Sequence, residues 1–433
     1  MREPEKMIIY NLFPLLAGPF SAWDAHLERA SRMGFNWVFV NPVQRLGASG
    51  SLYSIADYFS LNPALLDQGS ADSPEDQIRR VTGKARDLGL SMMIDLVINH
   101  CAADSPLLRA HPEWFLWDRG KVVNPSAKED GRTVVWRDLA KFDHKHSRDR
   151  EGFFRFCASV VEYLIGLGFT GFRCDAAYQV PKSLWERLIR ETRKKHPEVR
   201  FFAETLGCTP DQTAETARAG FDYVFNSVKW WDFHSHWLME QYQLTRNVVP
   251  SISFPESHDT RRLCDEFNGN VEGMKQRYLF AALFSAGVMM PIGFEHCFRK
   301  QLHVIRTKPR DWEDTDIDLT GFISKVNEIK TDHKVFQEEA PTKILPCNNP
   351  HVLVMWKACA SCHEEALLIL NKDIWNKQYF YSDSLQGYLQ AGAPLRDISP
   401  EYVLDHIPAP FNYDLRPGQG IVLITKRDRV STD

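Results

Sequence analysis

Gly171-Phe172-Arg173-Cys174-Asp175 is a short apolar run that closes on a carboxylate. Phe201-Phe202-Ala203-Glu204 repeats the pattern, and Ser257-His258-Asp259 ends a third such run. Each run suits a buried strand and each is followed by a helix-like stretch, so the three acids are expected to converge on one mouth of a parallel sheet. Outward from these stretches the chain alternates strand and helix signals. Eight strands are predicted: 8–12, 37–40, 91–96, 171–173, 200–202, 223–225, 251–254 and 288–292. Between them, Trp23 to Met33 has apolar residues at helical spacing, Ser73-Pro74-Glu75-Asp76 is a helix start, and Gly89 follows a helix end. Eight repeats of this kind make an α/β fold, a (β/α)8 TIM barrel, whose active site lies at the C-terminal strand ends. Asp175, Glu204 and Asp259 would then follow strands four, five and seven.

Three converging carboxylates suit one chemistry in particular. Cleavage of a glycosidic bond with retention uses a carboxylate nucleophile, a carboxylic acid that protonates the leaving oxygen, and negative charge beside an oxocarbenium-like transition state. Arg173 lies two residues before Asp175 on the same strand face, so it should hold Asp175 ionised, while Glu204, with no basic neighbour in its own run, should be kept protonated by an apolar setting. Taken singly, an Asp beside an Arg is also a plain ion pair, and a lone His is a satisfied structural side chain.

The ordered set resembles glycoside hydrolase family 13, the α-amylase family. Met92-Met93-Ile94-Asp95-Leu96-Val97-Ile98-Asn99-His100 is similar to that family's first signature and precedes the other three in the family's order. Leu52-Tyr53-Ser54-Ile55-Ala56-Asp57-Tyr58 is similar to a further family segment, with Leu52 in place of glycine. The resemblance implies Asp175 as nucleophile, Glu204 as general acid/base and Asp259 as stabiliser of the distorted sugar. It also implies that Arg173, His100 and His258 bind the reacting glucosyl unit and that Tyr53 stacks on it. Glu295, in Pro291-Ile292-Gly293-Phe294-Glu295, resembles an acidic residue that often follows the eighth strand, and is read as shaping the cleft.

Composition agrees with a soluble enzyme acting on an uncharged substrate. The 433 residues are 44% hydrophobic and 25% charged, enough apolar material for one barrel and a smaller module. A formal net charge of -4 argues against nucleic acid as a partner. No stretch is long and apolar enough to cross a bilayer, the nearest being Tyr278 to Phe294, and the charged start Met1 to Lys6 lacks a signal peptide's features. A cytoplasmic location without membrane contact is therefore expected. Nine cysteines suggest free thiols in a reducing compartment. Cys359-Ala360-Ser361-Cys362-His363 spells the string of covalent haem attachment, but it joins two predicted strands and reads as a pair of turn thiols.

The predicted organisation is a catalytic barrel over residues 1–335, a B subdomain inserted after strand three over 100–149, and a C-terminal antiparallel β-sandwich over 336–433. The insertion breaks the alternation and is rich in proline, charge and tryptophan. Trp114, Trp117 and Trp136 are candidates for stacking on sugar rings or for the subdomain's own core, and Trp230 and Trp231 carry the same two readings. The last part shows short β-rich runs at 352–356, 366–370, 378–381 and 421–425. Residues after Lys426 read as a polar tail.

Departures from the family pattern narrow the function. Tyr178 and Gln179 stand where many amylases carry Lys-His on the leaving-group side. Asn99 matches a position that binds calcium in many amylases, but the other ligands cannot be located; no cofactor is expected, and calcium is the alternative Asn99 leaves open. Ser51 to Pro63 and Ser105 to Phe115 look most like the maltosyltransferase branch that uses maltose 1-phosphate, although the chain looks too short for that branch's extra N-terminal domain. The expected activity is retaining cleavage of α-1,4-glucan or maltooligosaccharides, hydrolysis first. Transfer to a sugar or phosphate acceptor is the alternative, and a non-catalytic glucan-binding barrel the alternative from another class. Oligomeric state is not legible in the sequence.

Overall fold

The computed structural model describes residues 6–129, 132–359, 361–390 and 394–426. Eight parallel strands close into a barrel: β1 (Met7–Leu12), β2 (Trp37–Val40), β3 (Ser91–Leu96), β4 (Gly171–Cys174), β5 (Arg200–Ala203), β6 (Tyr223–Phe225), β7 (Ser251–Ser253) and β8 (Gly287–Pro291), each paired with its sequence neighbours and β8 with β1. The predicted set is the observed set, with ends shifted by a residue. Strand alternation divides each strand between two environments. Met7, Ile9, Trp37, Phe39, Met93, Phe202, Tyr223, Phe225, Ile252 and Met289 fill the barrel interior. Two residues further along the inward face stand Asn11, Asn41, Asp95 and Glu204, and on β4 the inward series runs Gly171, Arg173, Asp175. The interior thus turns from apolar to polar toward the C-terminal mouth.

The outward residues pack against the surrounding helices in a second core. The principal helices are α1 (Trp23–Arg32), α2 (Pro74–Asp87), α3 (Arg150–Gly166), α4 (Lys182–Lys195), α5 (Pro210–Ala217), α6 (Trp237–Thr245), α7 (Val271–Phe284) and α8 (Thr320–Asp332). Start signals read from the sequence appear as caps: the Asp76 N–H donates to Ser73 Oγ at 3.1 Å. Glu295 departs from its expected place. Gly293 adopts φ +89° after β8, and Glu295 ends fully buried outside the barrel wall, accepting from outward-facing Tyr10 (2.7 Å) and from Arg29 Nε of α1 (2.9 Å). It is part of a buried ion pair and does not shape the cleft.

Between β3 and α3, residues 100–102 pair antiparallel with 139–141, and two small hairpins join 117–118 to 121–122 and 126–129 to 132–135. Trp114 is buried against Phe153 and Phe156 with its indole N–H on Asp149, so it belongs to the core and is closed to sugar. Trp117 is exposed and Trp136 half-buried. Trp231 is likewise buried, between Phe233 and Phe280, whereas Trp230 is exposed beside Phe254.

After α8 the chain becomes antiparallel: β9 (Thr342–Leu345), β10 (Val352–Ala358), β11 (Glu364–Asn371), β12 (Gln378–Ser382), β13 (Arg396–Asp397), β14 (Phe411–Leu415) and β15 (Gly420–Lys426). Five strands form one sheet in the order β9-β10-β11-β15-β13, and β12 pairs with β14. One face of the larger sheet, with Leu353, Met355, Leu368 and Val422, joins the core outside the barrel. The other face, with Val354, Trp356, Leu367 and Leu423, packs against Phe380, Phe411 and Leu415 of the smaller sheet. At the β10–β11 turn the Cα atoms of Cys359 and Cys362 lie 5.2 Å apart and the two are disulfide-bonded, which corrects the expectation of free thiols for this pair. The other seven cysteines are free. Among the described residues no helix is long and apolar enough to cross a membrane. The start at 1–5 and the polar tail after Lys426 lie outside the described residues.

Candidate active site

Arg173 is the centre of the polar mouth. It lies in register with Asp95 of β3 on one side and Phe202 of β5 on the other. Its guanidinium therefore meets carboxylates from three strand ends: Asp95 at 2.6 Å, Asp175 at 3.0 Å and Glu204 at 2.9 Å. Glu204 is fixed from a second side, because the Ala176 N–H donates to it at 2.7 Å. Ala176 has φ +41°, a left-handed turn that aims this N–H back at β5. Asp175 and Glu204 keep 13% and 14% of their side-chain surface, so both are reachable but largely dry.

A second layer joins the remaining candidates. The Tyr53 hydroxyl donates to Asp95 at 2.7 Å, lies 2.7 Å from His258 Nε2, and accepts from Asn41 Nδ2 at 3.0 Å. Its ring stacks on His258 with centroids 5.8 Å apart. His258 Nε2 also lies 3.0 Å from Asp259, whose side chain is 56% exposed at the rim. His100 is buried, with Nε2 3.1 Å from the Tyr53 carbonyl oxygen. The structure thus gathers Asp175, Glu204, Arg173, Tyr53, His258 and Asp259 in one network, with His100 attached through the Tyr53 backbone.

The charge balance differs from the expected one in a useful way. Burial pushes Asp175 up to about 6 despite Arg173, with Asp95 and Asp259 adding to the rise. Burial likewise pushes Glu204 up to about 7 against the same Arg173, with Asp175 and Asp259 adding to it. Arg173 therefore does not hold Asp175 at a low value, and Glu204 does have a basic neighbour, brought across from β4 by strand pairing. The order expected of a nucleophile and an acid survives, with Asp175 about 6 and Glu204 about 7, the charge of Asp175 helping to raise Glu204. Desolvation is the largest effect on Asp259 and raises it, but the charge and hydrogen bond of His258 together with Arg173 outweigh it and hold the carboxyl below its ordinary value. His100 is pushed down to about 4 by burial, so it stands neutral at pH 7.

Asp95 was quoted in a motif but not counted as a site residue, and the structure makes it the shared anchor of Arg173 and Tyr53. Asn41, just beyond β2 and outside every motif quoted above, also joins the site by donating to the Tyr53 hydroxyl. The period-two alternation of β3, which puts Met93 and Asp95 on one inward face, could have revealed Asp95, because it faces Arg173 once β3 and β4 pair. For metals, Asn99 Oδ1 is buried without a hydrogen-bond partner and is free to act as a ligand. Among the described residues, groups of three acidic, His or Cys side chains at ligand spacing occur at His111, Glu113 and Asp149, and at Glu338, Cys359 and Cys362, where the disulfide takes both sulfurs and leaves no thiolate to ligate.

Known proteins resemble the chain at two levels. Residues 4–116 match the family described as glycogen debranching enzyme, glucanotransferase domain. An α-1,4-glucan:maltose-1-phosphate maltosyltransferase of Burkholderia pseudomallei is 26% identical over 73% of this chain and 28% of its own length. One of Methylacidiphilum infernorum is 24% identical over 82% of this chain and 56% of its own length. The chain thus spans about a quarter to just over half of these curated relatives. In three dimensions it resembles an α-amylase of Lactobacillus plantarum (TM-score 0.76, 20% identity, 97% and 99% of the two chains). It also resembles an α-amylase of Geobacillus thermoleovorans solved with acarbose (TM-score 0.79, 14% identity, 99% and 100%). These likenesses are to the fold.

Proposed function

We infer that this chain, which belongs to the α-amylase family near its maltosyltransferase branch, cleaves α-1,4-glucosidic bonds of a glucan or maltooligosaccharide with retention. The observation that carries the reading is the single guanidinium of Arg173 joining Asp175 and Glu204 at the barrel mouth. In the first step Asp175 attacks the anomeric carbon while Glu204 gives its proton to the departing glycosidic oxygen. The sugar is left as an ester on Asp175. Glu204, now ionised, takes a proton from the incoming acceptor as that acceptor breaks the ester. Asp259 with His258 supplies negative charge and hydrogen bonds beside the flattened ring, and Tyr53, stacked beside His258, offers that ring an aromatic face. Water is the first-choice acceptor.

A second reading is favoured by the relatives' shared name. With a sugar hydroxyl or phosphate as acceptor the same ester gives transfer, and Tyr178 and Gln179, in the short turn that follows Ala176, stand where the resemblance puts the leaving-group side. Incubation with maltooligosaccharides, with and without phosphate, separates the readings. Shorter sugars alone indicate hydrolysis, longer ones transfer, and a sugar phosphate phosphorolysis. Asp175→Asn and Glu204→Gln are each expected to lower turnover roughly a thousandfold or more with folding intact. Wild-type rates in either variant, or no product from the wild type, would remove the catalytic reading.

A further inference from the structure

Two asparagines at the barrel mouth take no part in the chemistry above, yet they form a polar chain that ends on the Tyr53 hydroxyl. Asn11 of β1 lies in register with Phe39 of β2, Asn41 follows β2 by one residue, and both are fully buried. Their amides cannot face either way. Asn11 Nδ2 donates to the Phe39 carbonyl at 3.1 Å, and because that oxygen can only accept, it fixes the nitrogen end of the amide there. The same nitrogen donates to Asn41 Oδ1 at 3.0 Å, which turns Asn41 Nδ2 toward Tyr53, where it donates to the hydroxyl oxygen at 3.0 Å. One backbone carbonyl thus sets the direction of the whole chain. The arrangement leaves Asn11 Oδ1 buried without a hydrogen-bond partner, a cost that an apolar side chain filling the same space would not carry.

The receiving end depends on that support. With one lone pair taken by Asn41, the Tyr53 hydroxyl gives its proton to Asp95 at 2.7 Å and turns its other lone pair to His258 Nε2, also at 2.7 Å. A histidine is commonly oriented through the ring nitrogen that points away from its site, but His258 Nδ1 is buried without a partner. Its hydrogen bonds therefore come from the Nε2 side alone, from Tyr53 and Asp259. We propose that Asn11 and Asn41 are positioning residues of the reaction, which through the Tyr53 hydroxyl hold the Tyr53 ring, Asp95 and His258 in the arrangement that fits the flattened glucosyl ring. Neither touches the sugar: Asn41 acts through Tyr53, and Asn11 through Asn41. The proposal rests on the catalytic reading of the barrel mouth.

The test is a double-mutant cycle on maltooligosaccharide turnover with Asn41→Ala, Tyr53→Phe and the two combined. Circular dichroism follows folding, and proton magnetic resonance follows the Tyr53 hydroxyl, identified by the signal that Tyr53→Phe removes. Asn41→Ala is expected to lower kcat about tenfold in the wild-type background and less than about twofold in the Tyr53→Phe background, and to shift the hydroxyl signal. Asn11→Leu, which keeps the volume, carries the same cycle should Asn41→Ala fail to fold. Equal losses in both backgrounds, an unmoved hydroxyl signal, or wild-type kcat in Asn41→Ala would overturn the role, since a side chain that only packs weakens both backgrounds alike. A hydroxyl signal that shifts although no form of the protein, wild type included, cleaves any glucan would uphold the hold on Tyr53 and sink the catalytic reading instead.

Discussion

Arg173 shares one cation among Asp95, Asp175 and Glu204, and the balance between burial, which raises the two catalytic carboxyls, and this cation, which lowers them, sets the working pH. Asp175 must be ionised to attack and Glu204 protonated to donate. Activity should therefore rise with pH through about 6 as Asp175 loses its proton and fall through about 7 as Glu204 loses its own. A kcat/KM profile on maltooligosaccharide checks this; a plateau from pH 5 to 9 would contradict it. Asp95 contributes because its negative charge pushes Asp175 upward. Asp95→Asn should accordingly move the acid limb to lower pH, lower kcat by loosening Arg173 and Tyr53, and cost up to about 3 kcal/mol of stability, since one buried charge partner is lost. Urea unfolding and the pH profile report the two effects separately. The pairing of Arg173 with Asp175 was legible from their spacing on one strand. Its contact with Glu204 was not, because register between distant strands is absent from local sequence.

The strands explain why the barrel was readable and some of its neighbours were not. Each barrel strand is buried on both faces and reads as an apolar run, which fixes its place to within a residue. Gly171 shows the tolerance of that packing. A Cβ there would lie 2.6 Å from Trp37 Cζ3, inside the bottom layer of the barrel. Gly171→Ala should thus displace the Trp37 ring, cost about 1–3 kcal/mol in urea unfolding, and lower turnover through the shift it sends along β4 to Asp175. Unchanged stability would mean that the layer has room to give. Glu295 was misplaced because the sequence pattern gives no sign that Gly293 turns the chain outward after β8. Trp114 was ambiguous because an indole suits a core and a sugar platform equally well. The Cys359–Cys362 bond escaped the reading because a compartment argument from cysteine count says nothing about two thiols held across one tight turn.

At the scale of the whole molecule, two buried lysines cap the end of α7, and one of them, Lys357, ties the C-terminal sheet to the barrel. Lys330 of α8 donates to the carbonyls of Ala282, Ser285 and Phe336, and Lys357 of β10 donates to that of Phe284 at 2.6 Å. They take up carbonyls at the end of α7 that the helix itself leaves unpaired. Burial pushes Lys357 down to about 8, with Glu339 and Glu338 opposing the shift. The folded chain therefore gives up this proton before the unfolded chain does, whose lysine titrates near 10.4. Between these values the unfolded state binds more protons, so stability contributed by Lys357 rises with pH. In Lys357→Met the dependence disappears. Unfolding free energies measured in urea at pH 7.5 and pH 10 should show the wild type gaining about 2 kcal/mol on the variant over that interval. A constant difference would mean that the amine is neutral, or fully hydrated, across the whole range, and that the sheet is held to the barrel by apolar contact alone.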